Sequence, residues 1–160
     1  MPGVIPIALP LARIGSVNTW LLLGAPVTLI DTGPREDMAL ADLERGLRRN
    51  GLRVEDVELV LGTHHHLDHV GLAAEIQRRS GATVAMLDTV ADYAAQYAAE
   101  IEQDREFAHA LMAHHGVPAQ VVADDEEFWE YIRATSEDFL ADVRLGDGDV
   151  VEAGGRRLRV

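Results

Sequence analysis

The sequence contains no cysteine and no lysine. Without cysteine there is no disulfide and no thiolate metal ligand, so a metal site here has only His, Asp, Glu and water to draw on. No stretch reaches the ~18–20 consecutive apolar residues of a membrane span. The opening segment from Met1 to Gly24 is fairly apolar, but Pro2, Pro6, Pro10, Arg13 and Asn18 interrupt it. A secretory signal needs a basic start and an unbroken apolar core, which this segment lacks. These absences predict a soluble, cytoplasmic protein with no membrane partner.

Positive charge is also scarce. The 160 residues carry 14 Arg against 27 acidic residues, a net charge of −13. The imbalance is local: residues 88–142 hold 14 acidic side chains and only Arg105 and Arg133 as cations. A surface of that sign repels phosphate backbones, so nucleic acid is excluded as a partner and a small molecule is the expected substrate. At 48% hydrophobic the chain can bury the core of one domain.

Short apolar runs split by Gly and Pro open the chain. Val4–Leu9 and Val17–Leu23 read as strands joined around Ile14-Gly15-Ser16, and Val27–Ile30 as a third, together a mostly antiparallel sheet. Arg35–Arg49 reads as a helix with Met38, Leu40, Ala41, Leu43 and Leu47 on its apolar face. Val57–Leu61 is a buried strand, Asp68 or a neighbour opens the next helix, and Ala82–Leu87 is another strand. Strand, helix, strand, loop, helix, strand is an α/β layer pattern. The Ala-, Glu- and Asp-rich residues 88–142 read as a helical insertion on that body, broken at Gly116-Val117-Pro118 and helical again from about Asp125 to Val143. Its aromatic residues are assigned to packing. The tail returns to strand character, with Gly154-Gly155 as the turn of a hairpin.

Between the apolar strand and the next helix stands His64-His65-His66-Leu67-Asp68-His69. Imidazole and carboxylate suit zinc, and also iron or manganese. His64 and His66 are two apart, so in an extended segment they point the same way and reach one metal, while His65 points elsewhere, toward solvent or a neighbouring contact. Asp68 and His69 follow at the helix start and can serve a second metal about 3.5–4 Å away. Upstream, Asp31 either orients a ligating histidine or caps a turn. Asn18 and Trp20 are read as structural, and His109, His114 and His115 as helix-surface or helix-end residues.

Thr63-His64-His65-His66-Leu67-Asp68-His69-Val70-Gly71, preceded by Asp31-Thr32-Gly33 after a strand, resembles the signature of the metallo-β-lactamase superfamily. The resemblance covers about 1–87 and 144–160. It implies an α/β (α+β) fold, half of a four-layer αββα sandwich, with 1–160 as the N-terminal portion of the domain and 88–142 as its acidic insertion. It implies that His64 and His66 belong to one metal site, and Asp68 and His69 to a second. The remaining ligands, two His and a bridging Asp, are expected beyond Val160.

Two divalent metals, zinc in the first instance, would lower the pKa of a bridging water and let the hydroxide attack an ester-like carbonyl whose oxygen is polarised by the metal. Asp68 would help hold the second metal and orient the nucleophile. Thioesters and lactones, as in relatives resembling glyoxalase II, are the expected substrates. The alternatives are an oxidoreductase resembling the persulfide dioxygenases, with one iron, and a catalytically inert fragment. A half sandwich leaves one sheet face open, so the chain alone is expected either to form a homodimer through that face or to be marginally stable.

Overall fold

Alternation fixes the first two strands. In β1 (Val4–Leu11) the side chains of Ile7, Leu9 and Leu11 are buried while Pro6 and Ala8 face outward. β2 (Gly15–Leu22) answers in antiparallel register, with Leu9 opposite Val17 and Ile7 opposite Thr19. Both strands are longer at their shared end than the sequence reading had them, because main-chain pairing continues to Leu11↔Gly15. Gly15 and Ser16, expected in the connection, are strand residues; Ile14 lies outside the residues the structure describes. That structure, a computed structural model, describes residues 3–11 and 15–160.

β3 (Thr28–Ile30) pairs antiparallel with β2 and parallel with β4 (Leu59–Leu61). β5 (Thr83–Leu87) and β6 (Val143–Leu145) extend the sheet in parallel, giving the order β1-β2-β3-β4-β5-β6. Parallel neighbours need crossovers, and helices supply them. α1 (Asp37–Arg49) turns Leu43 and Leu47 inward and joins β3 to β4. α2 (Leu67–Val70) and α3 (Ala73–Ser80) join β4 to β5. They replace the single helix expected after the histidine cluster, the break falling at Gly71-Leu72.

Between β5 and β6 lie α4 (Asp88–Ala95), α5 (Tyr97–His114), α6 (Ala119–Asp124) and α7 (Glu126–Thr135). The helix expected up to Val143 stops at Thr135. Tertiary bonds capture the next residues instead. The Asp138 carboxylate accepts the Ala98 N–H at 2.9 Å, the Asp142 carboxylate accepts the Val84 N–H at 2.8 Å, and Phe139 is buried.

The sheet has two apolar faces. One packs on the helices through Leu9, Leu21, Leu29, Val60, Val84 and Met86. On the other, Leu22, Leu59 and Ala85 meet Ala153 of a hairpin, β7 (Val150–Ala153) and β8 (Arg156–Arg159). Gly154 and Gly155 both have positive φ (56° and 68°), as a two-residue hairpin turn of this hand requires. The hairpin does not cover the whole face: Trp20 and Val143 remain 40% and 41% exposed. Among the described residues no helix is long and apolar enough to cross a membrane.

Arginines tie the outer layer. Arg79 of α3 bonds Glu44 of α1 and Glu55 at 2.8 Å each. Those bonds hold both carboxyls below the ordinary glutamate value of 4.5. Arg105 and Arg133 do the same to Glu102 and Glu126 within the helical insertion. A carboxyl lowered by folding contributes stability above its unfolded value and loses it as pH falls through its folded value. Urea midpoints are therefore expected to be level from pH 7 to about 5 and to fall below about 4.5. Equal midpoints at pH 6 and pH 3.5 would show that these pairs contribute nothing.

Candidate metal centre

β3 and β4 are parallel neighbours and end side by side, so the residues that follow them meet. Asp31 leaves β3 with φ 59°, donating its N–H to the Leu61 carbonyl at 2.9 Å. A non-glycine residue in this left-handed region is uncommon, although Asp tolerates it better than most. The turn aims a buried carboxylate at the loop after β4. Asp31 Oδ1 accepts the Thr63 N–H at 2.8 Å, and the Thr63 hydroxyl lies 2.9 Å from both carboxylate oxygens. Asp31 Oδ2 is 2.7 Å from His69 Nδ1.

Asp31 thus settles which of its two readings holds: it orients a histidine. A carboxylate partner accepts a proton at His69 Nδ1, so the tautomer it favours leaves Nε2 as the nitrogen that can face a metal. The same logic reaches His64. The Thr63 hydroxyl spends its one proton on Asp31, so its oxygen accepts from His64 Nδ1, 3.0 Å away. Both rings therefore present Nε2 outward, the arrangement carboxylate–histidine–metal relays use.

The backbone holds α2 against the Asp31 turn. The His69 carbonyl accepts the N–H groups of Thr32 at 2.6 Å and Gly33 at 3.3 Å, and Leu72 N–H returns to the Gly33 carbonyl at 3.1 Å. His66 stands at the N-cap of α2, its carbonyl accepting from His69 and Val70. Rings of His64 and His69 lie 4.1 Å apart, and those of His64 and His66 4.7 Å. Asp68 Oδ2 is 3.6 Å from His69 Nε2. All four residues of the expected set are thus brought to one place. Among the described residues, no three His, Asp or Glu side chains already converge on a single metal position. The donor set still fits a divalent cation, since its free nitrogens and its carboxylate are close together and partly open to solvent. Burial, and then the neighbouring His69 and His66, lowers the pKa of His64, which favours the neutral form that binds metal.

His65 does point elsewhere, but not into water. Its ring packs 4.4 Å from that of Tyr93, its carbonyl accepts the Tyr97 hydroxyl, and its Nδ1 is buried without a hydrogen-bond partner. Burial lowers its pKa. His109 faces Asp125, 3.5 Å away, and His114 and His115 sit exposed at the end of α5.

Beside His66 and Asp68 opens a cavity of about 710 Å³. Its far wall is Tyr93, Tyr97, Ile101, Phe128, Trp129 and Ile132. Trp129 and Ile132 also pack on the core, so the aromatics assigned to packing serve two roles. A signal was present in the chain: seven of its eight aromatic residues fall in 88–142. Burial, reinforced for Tyr93 by its bond to Asp104, pushes both wall phenols above their ordinary value, so they stay neutral.

The family model described as the metallo-β-lactamase superfamily matches residues 12–160. A solved metallo-β-lactamase family protein of Thermus thermophilus superposes with a TM-score of 0.82 at 32% identity, over 99% of this chain and 51% of that one. A Cronobacter sakazakii metallo-β-lactamase shares the fold at 21% identity and a TM-score of 0.63, over 96% of this chain and 49% of its own. Over 59 residues the chain is 41% identical to the "Probable metallo-hydrolase YqjP" of Bacillus subtilis (37% of this chain, 18% of that protein). It is 42% identical to a metal-dependent hydrolase of Thermococcus kodakarensis, again over 59 residues (36% and 26%). The chain therefore spans about half the length of the solved relatives. With the family model matching residues 12–160, the chain belongs to the metallo-β-lactamase superfamily.

Proposed function

We propose that His64, His66, Asp68 and His69 hold divalent metal in a hydrolase that cleaves a small ester-like carbonyl substrate, a thioester or a lactone. The observation that carries this reading is the pair of anchored imidazoles. Asp31 fixes His69 directly and His64 through Thr63, each at Nδ1, so each offers Nε2. A bound divalent metal would supply Lewis acidity, making a water nucleophilic near neutral pH and polarising the carbonyl.

The chain's own residues then have distinct tasks. Asp31 takes no part in bond-making; its carboxylate holds the ring planes and keeps the His69 proton on Nδ1. Asp68, at the cavity edge and in the first turn of α2, is placed to hold metal and to accept a hydrogen bond from the attacking water. The aromatic wall offers apolar surface beside it on which a substrate's apolar part can leave water.

The test combines metal content and turnover. The purified protein is assayed by elemental mass spectrometry and with thioester and lactone panels, before and after a chelator and after zinc is restored. Two equivalents of metal, with hydrolysis that disappears and returns with them, support the reading. Hydrolysis that survives complete metal removal would sink the reading. One equivalent of iron with oxygen uptake would replace it with the oxidoreductase alternative.

A further inference from the structure

We infer that the cavity between the histidine loop and helices α4, α5 and α7 takes an apolar acyl or aryl tail that carries no negative charge. The inference rests on the hydrolase reading for what is joined to that tail, and deepens it by naming the substrate class. Three observations support it.

The first is the character of the wall. Aromatic rings and two isoleucines dominate it, and the polar groups of Tyr93, Tyr97 and Trp129 are bonded to partners. The Tyr93 hydroxyl donates to Asp104 at 2.6 Å, the Trp129 N–H to Asp125 at 2.6 Å, and the Tyr97 hydroxyl to the His65 carbonyl. What remains toward the cavity is apolar surface, which gains by leaving water when an apolar group enters.

The second is charge. Among the described residues no arginine lines the cavity, and the chain has no lysine. The charged side chains along it apart from histidine are Asp68, in the histidine loop, and Asp104, which holds the Tyr93 hydroxyl. A carboxylate or phosphate on the tail would lose water against the apolar wall and meet the like charges of Asp68 and Asp104, with no arginine among the described lining residues to pair it. The arginines of the insertion do not help, since Arg105 and Arg133 are engaged by Glu102 and Glu126.

The third is size. About 710 Å³ falls within the range of pockets that enclose a whole small molecule, so the space holds more than the scissile group itself. Substrates whose recognition handle is anionic are thereby disfavoured, and neutral or cationic esters, thioesters and lactones with apolar tails are favoured.

Trp129 lines the cavity and reports on it, once Trp20, the only other tryptophan, is changed to Phe. The Trp20→Phe protein is titrated by fluorescence with 1-decanol, decyltrimethylammonium and decanoate, with chelator present so that no metal draws the carboxylate. Decanol and the cation are expected to bind at least roughly tenfold more tightly than decanoate. Asp104→Arg is expected to close that gap to about threefold or less, and Asp104→Asn, nearly isosteric at an exposed position, to narrow it in the same direction. Decanoate binding as tightly as decanol overturns the inference, as does a gap that neither Asp104 variant moves. These titrations need no turnover. A protein that shows the expected order yet cleaves no ester, thioester or lactone overturns the hydrolase reading alone.

Discussion

Replacing Asp31 with Ala is expected to lower metal affinity by roughly 10–100-fold, the usual effect of removing the group that orients a ligating histidine. The change acts through three losses at once. His69 Nδ1 loses its acceptor at 2.7 Å, the Thr63 N–H loses its acceptor at 2.8 Å, and the Thr63 hydroxyl loses the partner that turns its lone pair toward His64. The donors left behind are only partly buried, so water recovers part of each bond, and the variant should be less stable by no more than about 1–3 kcal/mol. Asp31→Asn separates the two effects. Asn tolerates the φ of 59° and can accept the His69 proton with its oxygen, but its NH₂ group then faces the Thr63 N–H. Its affinity should fall between those of the wild type and Asp31→Ala, with much of the stability retained. Competition against a chromophoric chelator reads the affinities. An Asp31→Ala protein that binds metal as tightly as the wild type would remove Asp31 from the site.

Gly71→Ala should be the most damaging conservative change near the centre. Gly71 has ordinary helical φ, so backbone freedom is not the reason for glycine here. A Cβ at this position would come within 2.5 Å of the Arg35 nitrogen, 2.6 Å of the Leu67 oxygen and 3.0 Å of the Pro34 carbonyl carbon. Those are main-chain atoms and cannot swing aside as a side chain could. Alanine would gain up to about 1 kcal/mol in helix propensity. The steric term is larger, about 1–3 kcal/mol, so the net effect is a loss, with a fall in Tm of about 3–10 °C. Relief of the clash must push α2 away from the Asp31 turn, which shifts His69 from Asp31. Metal affinity should therefore fall together with Tm. Unchanged values of both would show that the two segments slide apart without consequence.

The candidate metal-binding set can be picked out in the sequence because its pattern is local. His64, His66, Asp68 and His69 lie within six residues after an apolar strand, and that strand-to-helix context brings them to one loop at the strand's end. The order of strands and helices was legible for a similar reason, since alternation in β1 and the apolar face of α1 are short-range patterns. Three things were not. Helix α7 ends at Thr135 because Asp138, Asp142 and Phe139 find partners on β5, α4 and α5, far away in sequence. The break at Gly71-Leu72 falls where the Leu72 N–H bonds Thr32 and Gly33 of the Asp31 turn instead of the preceding helical turn. Thr63, part of the motif itself, had no visible task until Asp31 lay beside it.

By itself, then, the sequence determined the donor types, by containing His and Asp but no Cys, and the sign of the field around them, by placing 14 acidic residues in 88–142. Charge and donor identity are properties of residues and survive without a fold. Tertiary structure alone decided that Asp31 orients His69 rather than merely capping its turn, because that depends on β3 and β4 ending side by side. It also decided that the aromatics of the insertion wall a cavity while packing on the core. Ring spacing along a helix specifies a face, but what that face meets is set by elements distant in the chain.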